Sequence, residues 1–422
     1  MYKKITLENG LRIITVPMES SNSVTVLILV GTGSKYETKD TSGISHFLEH
    51  MFFKGTQKRP DTLTIAETLD RVGGEYNAFT SKEVTGFWAK VEKSHLDVAL
   101  DWISDMFLNS KFDEKEIERE KGVIIEEVNM YLDTPTAYIG ELWEELLYKD
   151  QPAGWRVIGE KENILAFNRQ KILDYYQSHY SPGNTIVCVA GGLSQDIKSR
   201  IKKYFAEIKP AKAGQKLKVQ EKQEESEVLV FNKKTDQTHF CLGVRAFDLF
   251  SEKKYALALL AIILGGNMSS RLFIKVRERN GLAYSIHTSA DTSTDTGYLV
   301  TQAGIDHKNL EKSVQLILEE YKSLKENKIT GQELQKAKNY LKGTMFLSLD
   351  SSDAQASFYT AQELLEQKIL TPEEKFEKID AVSIDDIKKV SEEIFVPEKL
   401  NLAVLGPFEK SEKEKLTKLL KI

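Results

Sequence analysis

His46 and His50 stand four residues apart in the run His46-Phe47-Leu48-Glu49-His50. On a helix that spacing is one turn, so both imidazoles share a face. They can then close on a single Zn²⁺ at roughly 2.0–2.1 Å each. Glu49 lies three residues from His46 and one from His50, and so points near the same face. A carboxylate there can reach a water held by the metal without being a ligand. The order H-x-x-E-H is the reverse of H-E-x-x-H, in which two histidines bind zinc and the glutamate acts as general base.

Zinc held by two histidines needs a third protein ligand and one open position for water. A later helix, opened by Asp113 with Glu116 and running past Tyr131, offers Glu120, Glu126 and Glu127. Glu120 and Glu127 are nearly two turns apart and share a face, whereas Glu126 is turned about 100° from Glu127. One carboxylate on the metal and another orienting a histidine suits such a pair, and spacing alone does not choose between them. A solvated acidic face is the competing account of so charged a helix. The apolar Val123-Ile124-Ile125 and Val128 show that one side of it is packed.

The elements that must position these groups are legible in the first half. Asn9-Gly10 between Ile5-Thr6-Leu7 and Leu11-Arg12-Ile13-Ile14 signals a hairpin. Val24 to Val30 is a buried strand. The metal-motif helix runs from about Ser42 to Lys54 and stops at Gly55. A second helix starts at Pro60-Asp61 and ends at Gly73-Gly74. Strands follow around Tyr76–Thr80 and Gly86–Val91, then a helix carrying Leu96, Leu100, Ile103 and Phe107 at helical spacing. Hairpins mixed with helices argue for layered α+β domains, not a parallel α/β fold.

The chain repeats itself. Tyr180, Pro182, the strand Ile186–Ala190 and Gly191 reappear as Phe395, Pro397, the strand from Leu402 and Gly406, at a constant offset near half the chain length. Between the halves lies a stretch rich in Lys, Gln and Glu. The expected division is 1–212, an exposed linker at 213–226, and 227–422. No second H-x-x-E-H occurs. Its place is taken by Leu259-Leu260-Ala261-Ile262-Ile263-Leu264-Gly265-Gly266, a buried helix without ligands.

At 422 residues, 41% apolar and 29% charged, the composition is that of a soluble globular protein. A net charge of −5 gives no reason to expect nucleic acid or an anionic membrane as partner. Two cysteines, Cys188 and Cys241, make no disulfide framework and have no zinc-ligand spacing. The N-terminus has neither the apolar core of a signal peptide nor the form of a transit peptide. The longest apolar run, Ala256 to Leu264, is too short to span a bilayer. A cytoplasmic protein is expected. His95, His179, His239, His287 and His307 show no ligand spacing.

His46-Phe-Leu-Glu-His50-Met-Phe-Phe-Lys-Gly-Thr56, followed by Glu118-Arg-Glu120-Lys-Gly-Val-Ile-Ile-Glu-Glu127, resembles the pitrilysin/insulinase family of inverted-zincin metallopeptidases, its mitochondrial-processing-peptidase-like branch most of all. Glu127 stands 77 residues after His50, the step at which the family places its third ligand. The resemblance thus implies one Zn²⁺ per chain on His46, His50 and Glu127, with Glu120 as the accompanying carboxylate and Glu49 as the base. It implies that Arg277 and Tyr284, in Arg277-Glu-Arg-Asn-Gly281-Leu-Ala-Tyr284, donate to the substrate carbonyl and the oxyanion. Gly74-Glu-Tyr-Asn77-Ala78-Phe79-Thr80-Ser81 is similar to the family's substrate strand, a sheet edge that takes peptide by main-chain hydrogen bonds at Asn77, Ala78 and Phe79.

The resemblance further implies a fold of two homologous layered domains. Each is a mainly antiparallel sheet packed with helices, and the pair forms one half of a clamshell. Two chains would pair as a homodimer around a chamber that admits short or unfolded peptides. Two other functions stand beside an endopeptidase. One is a processing peptidase that removes presequences with a partner chain. The other is a non-catalytic structural subunit, against which the intact Glu49 and ligand set argue.

Overall fold

The computed structural model describes residues 2–205, 208 and 214–422. In chain order the strands are β1 (Lys3–Thr6), β2 (Arg12–Pro17), β3 (Ser23–Val30), β4 (Glu75–Thr80), β5 (Thr85–Glu92), β6 (Thr185–Gly191), β7 (Glu227–Asn232), β8 (Thr238–Arg245), β9 (Ala283–Thr292), β10 (Gly297–Ile305) and β11 (Leu400–Gly406). The helices are α1 (Ile44–Met51), α2 (Thr62–Asp70), α3 (Leu96–Asn109), α4 (Glu114–Leu132), α5 (Pro135–Tyr148), α6 (Lys161–Ala166), α7 (Arg169–His179), α8 (Ile197–Phe205), α9 (Lys254–Gly265), α10 (Leu310–Glu326), α11 (Gly331–Ser348), α12 (Ser352–Leu365), α13 (Pro372–Ala381), α14 (Ile384–Ile394) and α15 (Lys413–Leu419). None is long and apolar enough to cross a membrane.

The expected α+β fold of two domains is present. One sheet has the order β1-β2-β6-β3-β5-β4 and the other β7-β11-β8-β10-β9. All neighbours are antiparallel except β2 with β6 and β7 with β11. Apart from β1 the two sheets share one topology, and the repeated segment occupies the same place in each. A Pro-initiated 3₁₀ turn, Pro182–Asn184 or Pro397–Lys399, leads into a fully buried central strand, β6 or β11.

The compact units are not contiguous in sequence. The first comprises residues 1–129, 155–217 and 347–369, and the second 130–154, 218–346 and 370–422. They differ from the contiguous 1–212 and 227–422 division by an exchange of helices. In the first unit, α12 comes from the second half and covers one face of the sheet, packing Ala356 and Tyr359 on Ile14, Leu27, Ile186 and Cys188. Thr25 Oγ1 meets Ser352 Oγ at 2.8 Å, and Glu363 holds Lys4 and Arg12. In the second unit, α5 comes from the first half and packs Ile139, Leu142 and Trp143 on Cys241, Val300 and Leu405. The opposite face of that sheet carries α9, α10 and α14.

The expected linker is tethered. Residues 212 and 213 lie outside the described residues. Beyond them, the Val219 and Gln220 N–H groups donate to Asp295 Oδ2 and Gln151 Oε1 at 3.0 and 2.8 Å. Its charged composition keeps it exposed, but these acceptors fix its backbone.

Candidate metal centre

Helix α1 has a dry side and a working side. Ile44, Phe47, Leu48 and Met51 are fully buried, as is Phe52 just beyond the helix. Such burial stabilises by roughly 1.5–3 kcal/mol per side chain. Phe52 meets Phe87 of β5 and Phe107 of α3, with ring centroids 4.7 and 6.0 Å away. The remaining face presents His46, Glu49 and His50. The helix is shorter than the expected Ser42–Lys54. Gly43, at φ 94°, breaks the chain direction before Ile44, and the segment after Met51 continues as turns. Buried Glu37 caps the start, its oxygens accepting from Gly43 N at 2.7 Å and Ser45 N at 2.9 Å. Loss of solvation raises its carboxyl pKa to about 7, although the Ser45 and Gly43 amides pull the other way.

Helix α4 supplies the carboxylates. It buries Ile117, Glu120, Ile124 and Val128. Glu120 therefore lies on the packed face, Glu127 at its half-buried margin and Glu126 in solvent. The structure brings His46, His50 and Glu127 together: one ligand atom from each falls within 4.8 Å of the other two. His50 Nε2 is 3.4 Å from Glu127 Oε2, and His46 Nε2 is 3.7 Å from Glu127 Oε1. Tetrahedral ligands at 2.0–2.1 Å from one zinc stand roughly 3.4 Å apart. The donor set of two imidazoles and a carboxylate, at this spacing, fits zinc. Among the described residues it is the one cluster of this kind. The imidazoles of His46 and then His50 hold the Glu127 carboxyl well below the usual carboxylate range.

Glu120 binds the outer side of His50, with Oε1 2.8 Å from Nδ1. Its other oxygen meets Lys54 Nζ at 2.6 Å. Burial works against the charge of Glu120, but His50 and Lys54 outweigh it and keep the carboxyl ionised. Glu49 is apart from the three-residue cluster, and its Oε2 accepts from Thr80 Oγ1 at 2.6 Å.

Strand β4 is an edge, paired to β5 alone. Asn77 and Phe79 are exposed and Ala78 half-buried. The Ala78 N–H donates to its neighbour Asn77 Oδ1 at 2.9 Å, which blunts the open edge. Phe79 lies over Gly86, where an added Cβ would come within 2.3 Å of the ring. Arg277 and Tyr284 belong to the second unit and lie together there. Arg277 closes a π-helical turn, Phe273–Glu278, and its Cζ is 5.5 Å from the Tyr284 ring. Tyr284, at the start of β9, is 78% exposed.

Sequence reasoning missed Lys54, Thr80 and Glu37. Lys54 carried a usable signal, four residues beyond His50. Glu37 could have been found as an acid shortly before a helix start. Thr80 meets Glu49 only through the packing of β4 on α1.

Two family models match consecutive parts of the chain. The family model described as "Insulinase (Peptidase family M16)" matches residues 12–161, and "Peptidase M16 inactive domain" matches residues 166–341. An "uncharacterized zinc protease" of Bacillus subtilis is 37% identical over 96% of this chain and 98% of its own. Another, of Rickettsia felis, is 34% identical over 95% and 96%. Among solved structures, a protease from Helicobacter pylori superposes with a TM-score of 0.90 at 26% identity, covering 96% of this chain and 99% of that one. A Pseudomonas fluorescens protein described as a peptidase M16 inactive domain shares the fold at TM-score 0.89 and 17% identity, over 97% and 98%.

Proposed function

Because this chain belongs to the insulinase family of peptidases, we propose that it is a zinc-dependent endopeptidase acting on short or unfolded peptides. The observation that carries the reading is the convergence of His46, His50 and Glu127 to zinc-ligand spacing. His46, His50 and Glu127 hold one ion per chain, and Glu120 keeps the His50 ring in place. Zinc, when bound, polarises a carbonyl and makes water a nucleophile near neutral pH. Glu49 takes the proton of the attacking water and returns it to the leaving amine. Arg277 and Tyr284 donate hydrogen bonds to the carbonyl oxygen as it gains charge.

The substrate lies extended along β4 and exchanges main-chain hydrogen bonds at Asn77, Ala78 and Phe79. Such recognition reads backbone more than side chains, which suits unfolded peptides. By resemblance, two chains pair as a homodimer and enclose the substrate in a chamber. The test is cleavage of a peptide library with and without a chelator, beside native mass measurement and metal analysis of His50→Ala and Glu127→Gln. Cleavage is expected to stop with chelation and both variants to lose zinc. Hydrolysis that survives chelation, or full zinc in both variants, overturns the reading.

A further inference from the structure

We propose that Thr80 is a positioning residue for Glu49. Its hydroxyl sets the carboxylate of the base and ties it to the strand that receives the peptide. The inference rests on the reading of Glu49 as general base.

Thr80 Oγ1 lies 2.6 Å from Glu49 Oε2. An ionised carboxylate only accepts, so the hydroxyl is the donor, and the distance is that of a charge-assisted bond. Among the described residues it is the one hydrogen bond that Glu49 receives. The terminal torsion of a glutamate is broad and roughly two-fold. A carboxylate with no partner would therefore sample many orientations, and one anchored oxygen restricts where the other points. Threonine suits the task because its β-branch stiffens χ1, so the hydroxyl is itself held in direction.

Thr80 is the last residue of β4, paired with Thr85 across the hairpin. Along the strand Tyr76, Ala78 and Thr80 alternate onto the half-buried face, while Asn77 and Phe79 are exposed. Tyr76 packs against Trp102 of α3, with ring centroids 5.1 Å apart, so that face of β4 is fixed from below. Thr80 follows directly on Asn77–Phe79. A peptide added to this edge and the anchor of the base thus share one short piece of backbone. Seating the main chain of the substrate also sets the direction of the proton acceptor. A 1 Å misplacement of such a group costs on the order of 10²-fold in rate, so the contact acts on turnover more than on binding.

The experiment compares Thr80→Val, Thr80→Ser and Thr80→Ala with the wild-type chain on one internally quenched, unstructured peptide, with Glu49→Gln run alongside. Valine keeps the branch and removes the donor. Thr80→Val is expected to lose about 10- to 100-fold in kcat with KM and zinc content unchanged, and Thr80→Ser to keep most of kcat. Thr80→Ala supplies the same reading, without a donor, if the valine protein does not fold. Wild-type kcat in the donorless variants overturns the proposal, as does a loss seen in KM alone. Thr80→Ser as impaired as Thr80→Val overturns it too. If Glu49→Gln is inactive while Thr80→Val is normal, only this inference fails. If Glu49→Gln turns over normally, the assignment of the base fails and the inference with it.

Discussion

Glu120 and His50 are joined across 2.8 Å from Oε1 to Nδ1, and this contact fixes both the plane of the ring and its tautomer. The carboxylate accepts from Nδ1–H, which leaves Nε2, 3.4 Å from Glu127 Oε2, as the nitrogen that would meet a metal. Lys54 occupies the second oxygen. Glu120→Gln cannot serve both partners. With its oxygen toward His50 the amide N–H₂ faces Lys54, and with its oxygen toward Lys54 it forces the histidine proton onto Nε2. Zinc affinity is expected to fall by about 10- to 100-fold, measured by competition with a fluorescent chelator. An unchanged Kd would show that Glu120 is a packing residue.

Glu49→Gln separates base chemistry from metal binding. The variant is expected to retain zinc and fold and to lose peptide hydrolysis by about 10²–10⁴-fold. Metal content and kcat measured on the same preparation decide the matter. Loss of zinc would make Glu49 a ligand.

Tyr284→Phe removes one hydroxyl from a ring that is 78% exposed, so folding does not depend on it. Loss of an oxyanion donor is expected to cost roughly 10²-fold in kcat with zinc content unchanged. Wild-type turnover would leave Tyr284 as a surface residue beside Arg277.

Glu37 makes stability depend on pH. Its folded-state pKa is raised from 4.5 to about 7 by burial, so the native fold binds its proton more tightly than the unfolded chain does. The stability it contributes is fully present below pH 4.5 and is lost as pH rises through about 7. A shift of this size corresponds to on the order of 3 kcal/mol. Urea unfolding of wild type and Glu37→Gln at pH 5 and pH 8 tests it. The wild type is expected to lose ground to the variant at the higher pH, and a gap that does not change with pH would refute the assignment.

Local signals carried much of the fold. Asn9-Gly10 makes the β1–β2 hairpin, and Asp61 caps α2 by accepting from Thr64 N. Leu96, Leu100, Ile103 and Phe107 line the buried face of α3. The clustering of His46 with His50 is a matter of helix period and was legible for that reason. The choice among Glu120, Glu126 and Glu127 was not, because spacing gives a face but not which neighbour meets it. The apolar stripes of α5 and α12 likewise say that each buries a face, without saying on which sheet. The tethering of the exposed linker was not legible because its acceptors, Asp295 and Gln151, are remote in sequence.

The exchange of α5 and α12 has a consequence for biosynthesis. The sheet that underlies His46 and His50 receives its second cover only from residues 347–369, close to the end of a 422-residue chain. Domains ordinarily fold in order as they leave the ribosome. Here the N-terminal one must wait, with a face of β2, β3 and β6 bare, until most of the polypeptide has been made. A messenger truncated between Glu127 and α12 encodes the complete H-x-x-E-H motif and Glu127, yet no finished scaffold to present them. The scaffold of the candidate metal centre is thus complete only when residues 347–369 have joined it.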